Sequence, residues 1–60
     1  MNKIPTTPEE IRILRGRHGI GLQEAKRRIT SHNLEVDIIE ANSFIELKNC
    51  VLKLIRLQNN

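Results

Sequence analysis

Two histidines and one cysteine are the side chains of this 60-residue sequence best suited to hold a metal ion or to act in catalysis. His18, His32 and Cys50 are widely spaced, and they lack the closely spaced ligand pair that structural zinc sites use. Each histidine falls near the predicted C-terminus of a helix, where the helix dipole favours such a ring. We therefore expect no metal and no cofactor.

Nucleophilic catalysis is also not expected. Cys50 lies in an apolar helical run, where a thiol is typically inert. Ser31 precedes His32, but adjacent residues of a helix point apart and cannot form a nucleophile–base pair. The sequence therefore predicts a binding protein and not an enzyme.

Length and cysteine content indicate a single small domain in a reducing compartment. A chain of this size builds only a marginal core and usually needs a disulfide, a metal or a second subunit. One cysteine excludes an internal disulfide. The start lacks a signal-peptide core, and no run approaches the roughly 18 apolar residues that span a bilayer. We expect a cytoplasmic protein without membrane association.

Charge is segregated along the sequence. Residues 12–28 hold six basic side chains and one acid, Glu24, whereas residues 35–46 hold four acids and no base. Such segregation suggests a polar partner for one of the two segments, but it is equally typical of two solvated helix faces.

The predicted elements are all helical. Thr7, Pro8 and Glu10 form a start signal for helix 1, which ends at Gly19. Helix 2 follows Gly21 and is expected to end near Asn33. Its inward stripe is predicted to contain Leu22, Ala25, Ile29 and His32.

Residues 34–38 alternate apolar and polar side chains, as a strand does, but they also fit a helical stripe. We choose a short helix 3, because a lone strand would leave its backbone groups unpaired. Ser43 and Glu46 form a second start signal, for a helix 4 that ends near Gln58.

Helix 4 carries apolar residues over an arc too wide for a single small core. One side is expected to pack inside the domain and the other to mediate self-association, although a compact four-helix domain could also wrap the helix completely. The residues predicted for a homo-oligomer, with a dimer as the simplest case, are Phe44, Leu47, Val51, Leu54 and Ile55.

The connection between helices 1 and 2 is the most specific feature. Two glycines, Gly19 and Gly21, permit a sharp turn around Ile20. Ile20 either projects as an apolar tip among Arg12, Arg15 and Lys26, or folds back into the core.

This connection resembles a helix–loop–helix motif of the C-terminal domain of the bacterial ribosomal stalk protein. The matching residues are Leu14-Arg15-Gly16, Gly19-Ile20-Gly21-Leu22 and Glu24-Ala25-Lys26. The resemblance covers about residues 11–29. It implies that a surface binding translation factors maps to Ile11, Arg12, Arg15, Gly21, Leu22 and Lys26.

A longer stretch is similar to the N-terminal domain of elongation factor Ts, a three-helix bundle of the ubiquitin-associated type that helps to bind elongation factor Tu. His18, Ala25 and Leu34 depart from that family's pattern. The residues in register are Leu14-Arg15, Gly19, Gly21, Lys26, Ile29, Asn33 and Glu35-Val36-Asp37-Ile38. This resemblance implies an all-α fold, with a ubiquitin-associated-like three-helix bundle and a fourth, C-terminal helix.

The expected organisation is a single helical domain, with a flexible leader over residues 1–6, a three-helix bundle over 7–42 and a C-terminal helix over 43–58. We expect a protein-binding module, a phage or bacterial regulator that docks on a translation factor or ribosomal component. The residues expected to bind that protein partner are Ile11, Arg12, Arg15, Ile20, Gly21, Leu22 and Lys26.

Two other functions fit the sequence. One is a small dimeric nucleic-acid-binding protein, and the other is an assembly subunit that acts through helix 4. The nucleic-acid hypothesis uses the basic residues Arg15, Arg17, Lys26, Arg27 and Arg28 to neutralise phosphates.

Overall fold

A computed structural model describes residues 2–59 and contains three helices, α1 (Pro8–His18), α2 (Leu22–Ile39) and α3 (Phe44–Gln58). No strand occurs within these residues, so the all-α prediction is confirmed. Helix α2 is the central element: α1 and α3 each pack against it, and the Cα atoms of α1 lie more than 8 Å from those of α3.

Local signals determine where the helices begin and where α1 ends. The Thr7 hydroxyl accepts a hydrogen bond from the Glu10 amide at 3.3 Å, and the Ser43 hydroxyl accepts one from the Glu46 amide at 3.1 Å. These bonds pair amides that lack a partner within the helix. Gly19 ends α1 in the left-handed conformation, with φ 63°, and donates its N–H to the Arg15 carbonyl. The predicted bounds of α1 are confirmed.

The prediction of four helices is wrong, because the segments assigned to helices 2 and 3 form the single helix α2. Asn33 does not end a helix. Its side-chain amide donates to the Ile4 carbonyl at 2.9 Å, and its side-chain oxygen accepts from the Ile4 amide at 2.7 Å. With its side chain occupied in this way, and with no glycine or proline from Leu22 to Ile39, nothing interrupts the helix. Residues 34–38 are therefore helical, and residues 7–42 contain two helices rather than three.

The segment before α1 lies along α2. The His32 ring lies 2.9 Å, through Nε2, from the Asn2 carbonyl, to which it donates. The Lys3 ammonium forms an ion pair with Asp37. This pairing, through the hydrogen bond first and the charge second, raises the pKa of Lys3 above its ordinary value of 10.5. Ile4 packs against the core beside these contacts.

The core is small. Ile11 of α1 and Ala25 and Ile29 of α2 form a buried cluster, against which Ile4, Leu14 and Ile20 pack. Val36 of α2 is also buried. Burying such an aliphatic side chain contributes about 1.5–3 kcal/mol, so the buried residues alone make a modest core.

Helix α3 has no fully buried residue. Its half-buried residues Leu47, Cys50, Leu54 and Leu57 recur every three or four positions, which places them on one stripe. We assign this stripe to the contact with α2, the helix against which α3 packs. Arg27, near the start of α2, donates to the Leu57 carbonyl at the end of α3, so the two helices run antiparallel. Within residues 2–59 no helix has the length and apolar character to cross a membrane.

Candidate functional site

The junction of α1 and α2 forms a surface groove of about 400 Å³, which we call the junction groove. Helix α1 contributes residues spaced three or four apart, and α2 contributes residues from its first two turns; both spacings keep the residues of each helix on one side. The groove is lined by Pro8, Ile11, Arg12, Arg15, Leu22 and Lys26.

The junction groove combines apolar and cationic surface. Ile11 is buried at its base, and Leu22 remains half exposed although it begins α2 beside the core. Arg12, Arg15 and Lys26 are exposed. Across residues 2–59 their side chains make no hydrogen bond or ion pair with another group. A groove with an apolar floor and three surrounding cations can bind a ligand that carries acidic groups beside an apolar group.

The structure divides the basic residues of the nucleic-acid hypothesis. Arg28 lies 3.4 Å, through Nε, from a Glu24 carboxylate oxygen, and Arg27 lies 3.9 Å from the other oxygen. Arg27 also donates to the Leu57 carbonyl at 3.1 Å. Arg17 lies two positions from Arg15, and residues with that spacing do not share a helix face. The five basic residues therefore do not form one cationic surface.

Ile20 and Gly21 do not line the junction groove. Ile20 is half buried and packs against the cluster of Ile11, Ala25 and Ile29. Of the two alternatives that the sequence left open, the structure supports the one in which Ile20 folds back into the core. Gly21 precedes α2 as its N-cap, without a side chain to bond the free amides.

The structure also divides the residues predicted for oligomerisation. Leu47 and Leu54 are half buried on the stripe that we assign to α2, whereas Phe44, Val51 and Ile55 are exposed. Ile45 and Leu52 are exposed too, although they were not among the residues predicted for oligomerisation. Pro8 was likewise not among the residues predicted for partner binding. The wide apolar arc predicted one side of α3 that packs inside the domain and one side that stays exposed. Which residues belong to each side was decided by the packing of α3 on α2.

Residues with potential metal-binding or nucleophilic chemistry lie apart. Among residues 2–59 no three or more His, Cys, Asp and Glu side chains are close enough together to hold a metal ion. His32 contacts Asn2, and Cys50 is a half-buried free thiol on the α3 stripe. Ser31 and His32 line another groove of about 370 Å³, whose two arginines, Arg27 and Arg28, already face Glu24.

The chain matches no protein-family model, and no curated protein or solved structure is significantly similar to it.

Proposed function

We propose that this chain is a small, non-catalytic protein-binding module that docks on its partner through the junction groove. One observation carries the proposal: five residues assigned to partner binding from the sequence line the same groove. They are Ile11, Arg12, Arg15, Leu22 and Lys26.

The chemistry of the groove describes the partner segment. Leu22 offers half-exposed apolar surface, and Arg12, Arg15 and Lys26 surround it with positive charge. A complementary segment carries one or two apolar side chains flanked by aspartate or glutamate. Charges at the rim chiefly increase the association rate, while the apolar contact and any arginine–carboxylate pair that becomes buried determine the lifetime of the complex.

The proposed partner belongs to the translation machinery, as the resemblance of residues 11–29 implies. Docking of this kind needs only α1, the turn and the first two turns of α2. It does not depend on the third helix of a ubiquitin-associated-type bundle. In this proposal the chain acts in the cytoplasm as a bacterial or phage regulator.

The test uses three forms of the full chain: the parent, Arg15→Glu/Lys26→Glu in the groove, and Arg17→Glu/Lys53→Glu as a control with the same change in net charge. Proteins captured from nuclease-treated bacterial lysate are identified and purified. Binding of each one, and of elongation factor Tu, is then measured in solution. We expect the groove variant to lose at least about tenfold in affinity, because two rim charges are reversed, and the control to stay within about threefold.

The control also separates a nucleic-acid-binding function. Arg17 belongs to the basic set of that hypothesis but not to the groove. Capture from untreated lysate that disappears after nuclease treatment, falls steeply with salt and is weakened in the control variant as well as in the groove variant would replace the protein-binding proposal. Circular dichroism of all three forms verifies that they remain folded.

A further inference from the structure

A second surface of the molecule is apolar and uncovered. Phe44 and Ile45 are 78% and 71% exposed, and Val51, Leu52 and Ile55 are also exposed. At about 100° per residue these five positions of α3 fall within an arc of about 120°. Lys48 is the charged residue within the arc. We call these five apolar residues the outer face of α3.

The outer face is large for so small a chain. Its exposed side chains present on the order of 500 Å² of surface, within the range of the largest apolar patch on a typical monomer, which is often functional. Two copies that covered each other's outer face would together bury about 1,000 Å². This area reaches the lower limit for a specific protein–protein interface.

The position of α3 in the fold gives this surface a structural role. The four buried hydrophobic residues of the described chain all belong to α1 and α2, and α3 contributes none. Helix α3 is therefore held to the rest of the molecule by one half-buried stripe and by Arg27. A second helix against the outer face would bury α3 on both sides.

The distribution of charge along the antiparallel α2–α3 pair favours the α3 helix of another copy of this chain as the helix that covers the outer face. Residues 35–46, around the connection between the two helices, contain four acids and no base, and Lys3 from the N-terminal segment pairs with one of the four, Asp37. The opposite end of the pair carries bases with the single acid Glu24. These bases are Lys26, Arg27, Arg28, Lys53 and Arg56. A twofold axis perpendicular to α3 brings the acidic end of one copy beside the basic end of the other.

We infer that the chain forms an isologous homodimer through the outer face of α3, with the two α3 helices antiparallel. The seam runs along Phe44, Lys48, Val51 and Ile55, which follow one another at spacings of four, three and four. In the antiparallel register Phe44 packs against Ile55 of the other copy, and Lys48 lies beside Val51. A parallel register would instead oppose Lys48 to itself, and this repulsion disfavours it.

The test compares two substitutions with the same chemistry at matched exposure. Ile55 on the outer face is 47% exposed, and Ile13 on α1 is 49% exposed. The parent, Ile55→Glu and Ile13→Glu are examined by sedimentation equilibrium from about 5 to 500 μM. We expect a dimer for the parent and for Ile13→Glu, and at least about a thirtyfold weaker dimer for Ile55→Glu, because a carboxylate would be buried in the seam.

Two results would overturn the dimer: a parent chain that remains monomeric at 500 μM, or an Ile55→Glu variant that associates as tightly as Ile13→Glu. Phe44→Ala provides a milder substitution at the most exposed position and is expected to weaken the dimer without adding charge. The junction-groove variant Arg12→Glu/Arg15→Glu leaves the bases at that end of the α2–α3 pair unchanged and should remain dimeric, so failure of the groove proposal and failure of the dimer are separate outcomes.

Discussion

At the scale of single residues, Asn33 shows how a polar side chain can change its role with tertiary context. Asparagine is typical of helix ends because its side chain bonds to nearby backbone groups. Here both polar atoms of the side chain bond instead to the backbone of Ile4, 29 positions away. These two hydrogen bonds hold the N-terminal segment on α2, and α2 continues through Asn33 without a break.

Replacement of Asn33 by alanine is expected to release Ile4 and destabilise the fold. Loss of two partly buried hydrogen bonds costs about 1–3 kcal/mol. Asn49→Ala is the matched control, since Asn49 is exposed on α3 and the same gain in helix propensity applies to it. Urea denaturation of both variants measures the difference in free energy of unfolding, and hydrogen exchange should accelerate at the Ile4 amide in Asn33→Ala alone. Equal stability of the two variants would show that the contact contributes nothing.

At the scale of elements, the two glycines of the α1–α2 connection serve different purposes. Gly19 adopts φ 63°, which other residues reach only with strain. Gly21 adopts φ −78° and ψ 175°, which any residue can adopt, and a Cβ there would meet open space. Both glycines permit the sharp turn, but only Gly19 adopts a backbone conformation that favours glycine.

Substitution at the two positions should have opposite effects. Gly19→Ala places a Cβ in the left-handed conformation and should cost about 1–2 kcal/mol. Gly21→Ser supplies the missing cap for α2 and lowers the entropy of the unfolded chain, so it should be neutral or stabilise by about 0.5 kcal/mol. Thermal and chemical denaturation measure both changes. The assignment fails if Gly21→Ser is the more damaging of the two.

At the scale of the whole molecule, the two proposed binding surfaces lie on different helices. The junction groove uses α1 and the start of α2, and the outer face uses the side of α3 opposite the stripe assigned to α2. Because the Cα atoms of α1 lie more than 8 Å from those of α3, changes on the α1 side of the groove should affect the outer face little. A dimer built on α3 would carry two junction grooves at opposite ends of the α3 pair, a bivalent arrangement suited to a repeated partner.

Stability should depend on protein concentration. Only the folded chain presents the outer face, so dimerisation stabilises the native state by mass action. The Tm of the parent should rise by several degrees between about 5 and 500 μM, whereas the Tm of Ile55→Glu should hardly change. Differential scanning calorimetry at both concentrations makes the measurement, with Ile13→Glu as the control that retains the dependence. A parent Tm independent of concentration would contradict the dimer.

Local sequence alone determined the helical class, the beginnings of the helices and the turn between α1 and α2. Caps such as Thr7 and Ser43 and a positive-φ glycine act within a few residues, so their effects can be read from the sequence. The spacing of three or four residues also placed the groove residues of each helix on one side, whereas the packing of α1 on α2 brought the two sets together. Tertiary structure decided what depends on distant partners. The Asn33–Ile4 contact removed a helix end, and the Arg27–Leu57 bond linked the basic segment to the end of α3. The packing of α3 on α2 decided which apolar residues of α3 form the half-buried stripe and which form the outer face. The sequence of α3 could not decide this, because both sides of the helix are apolar.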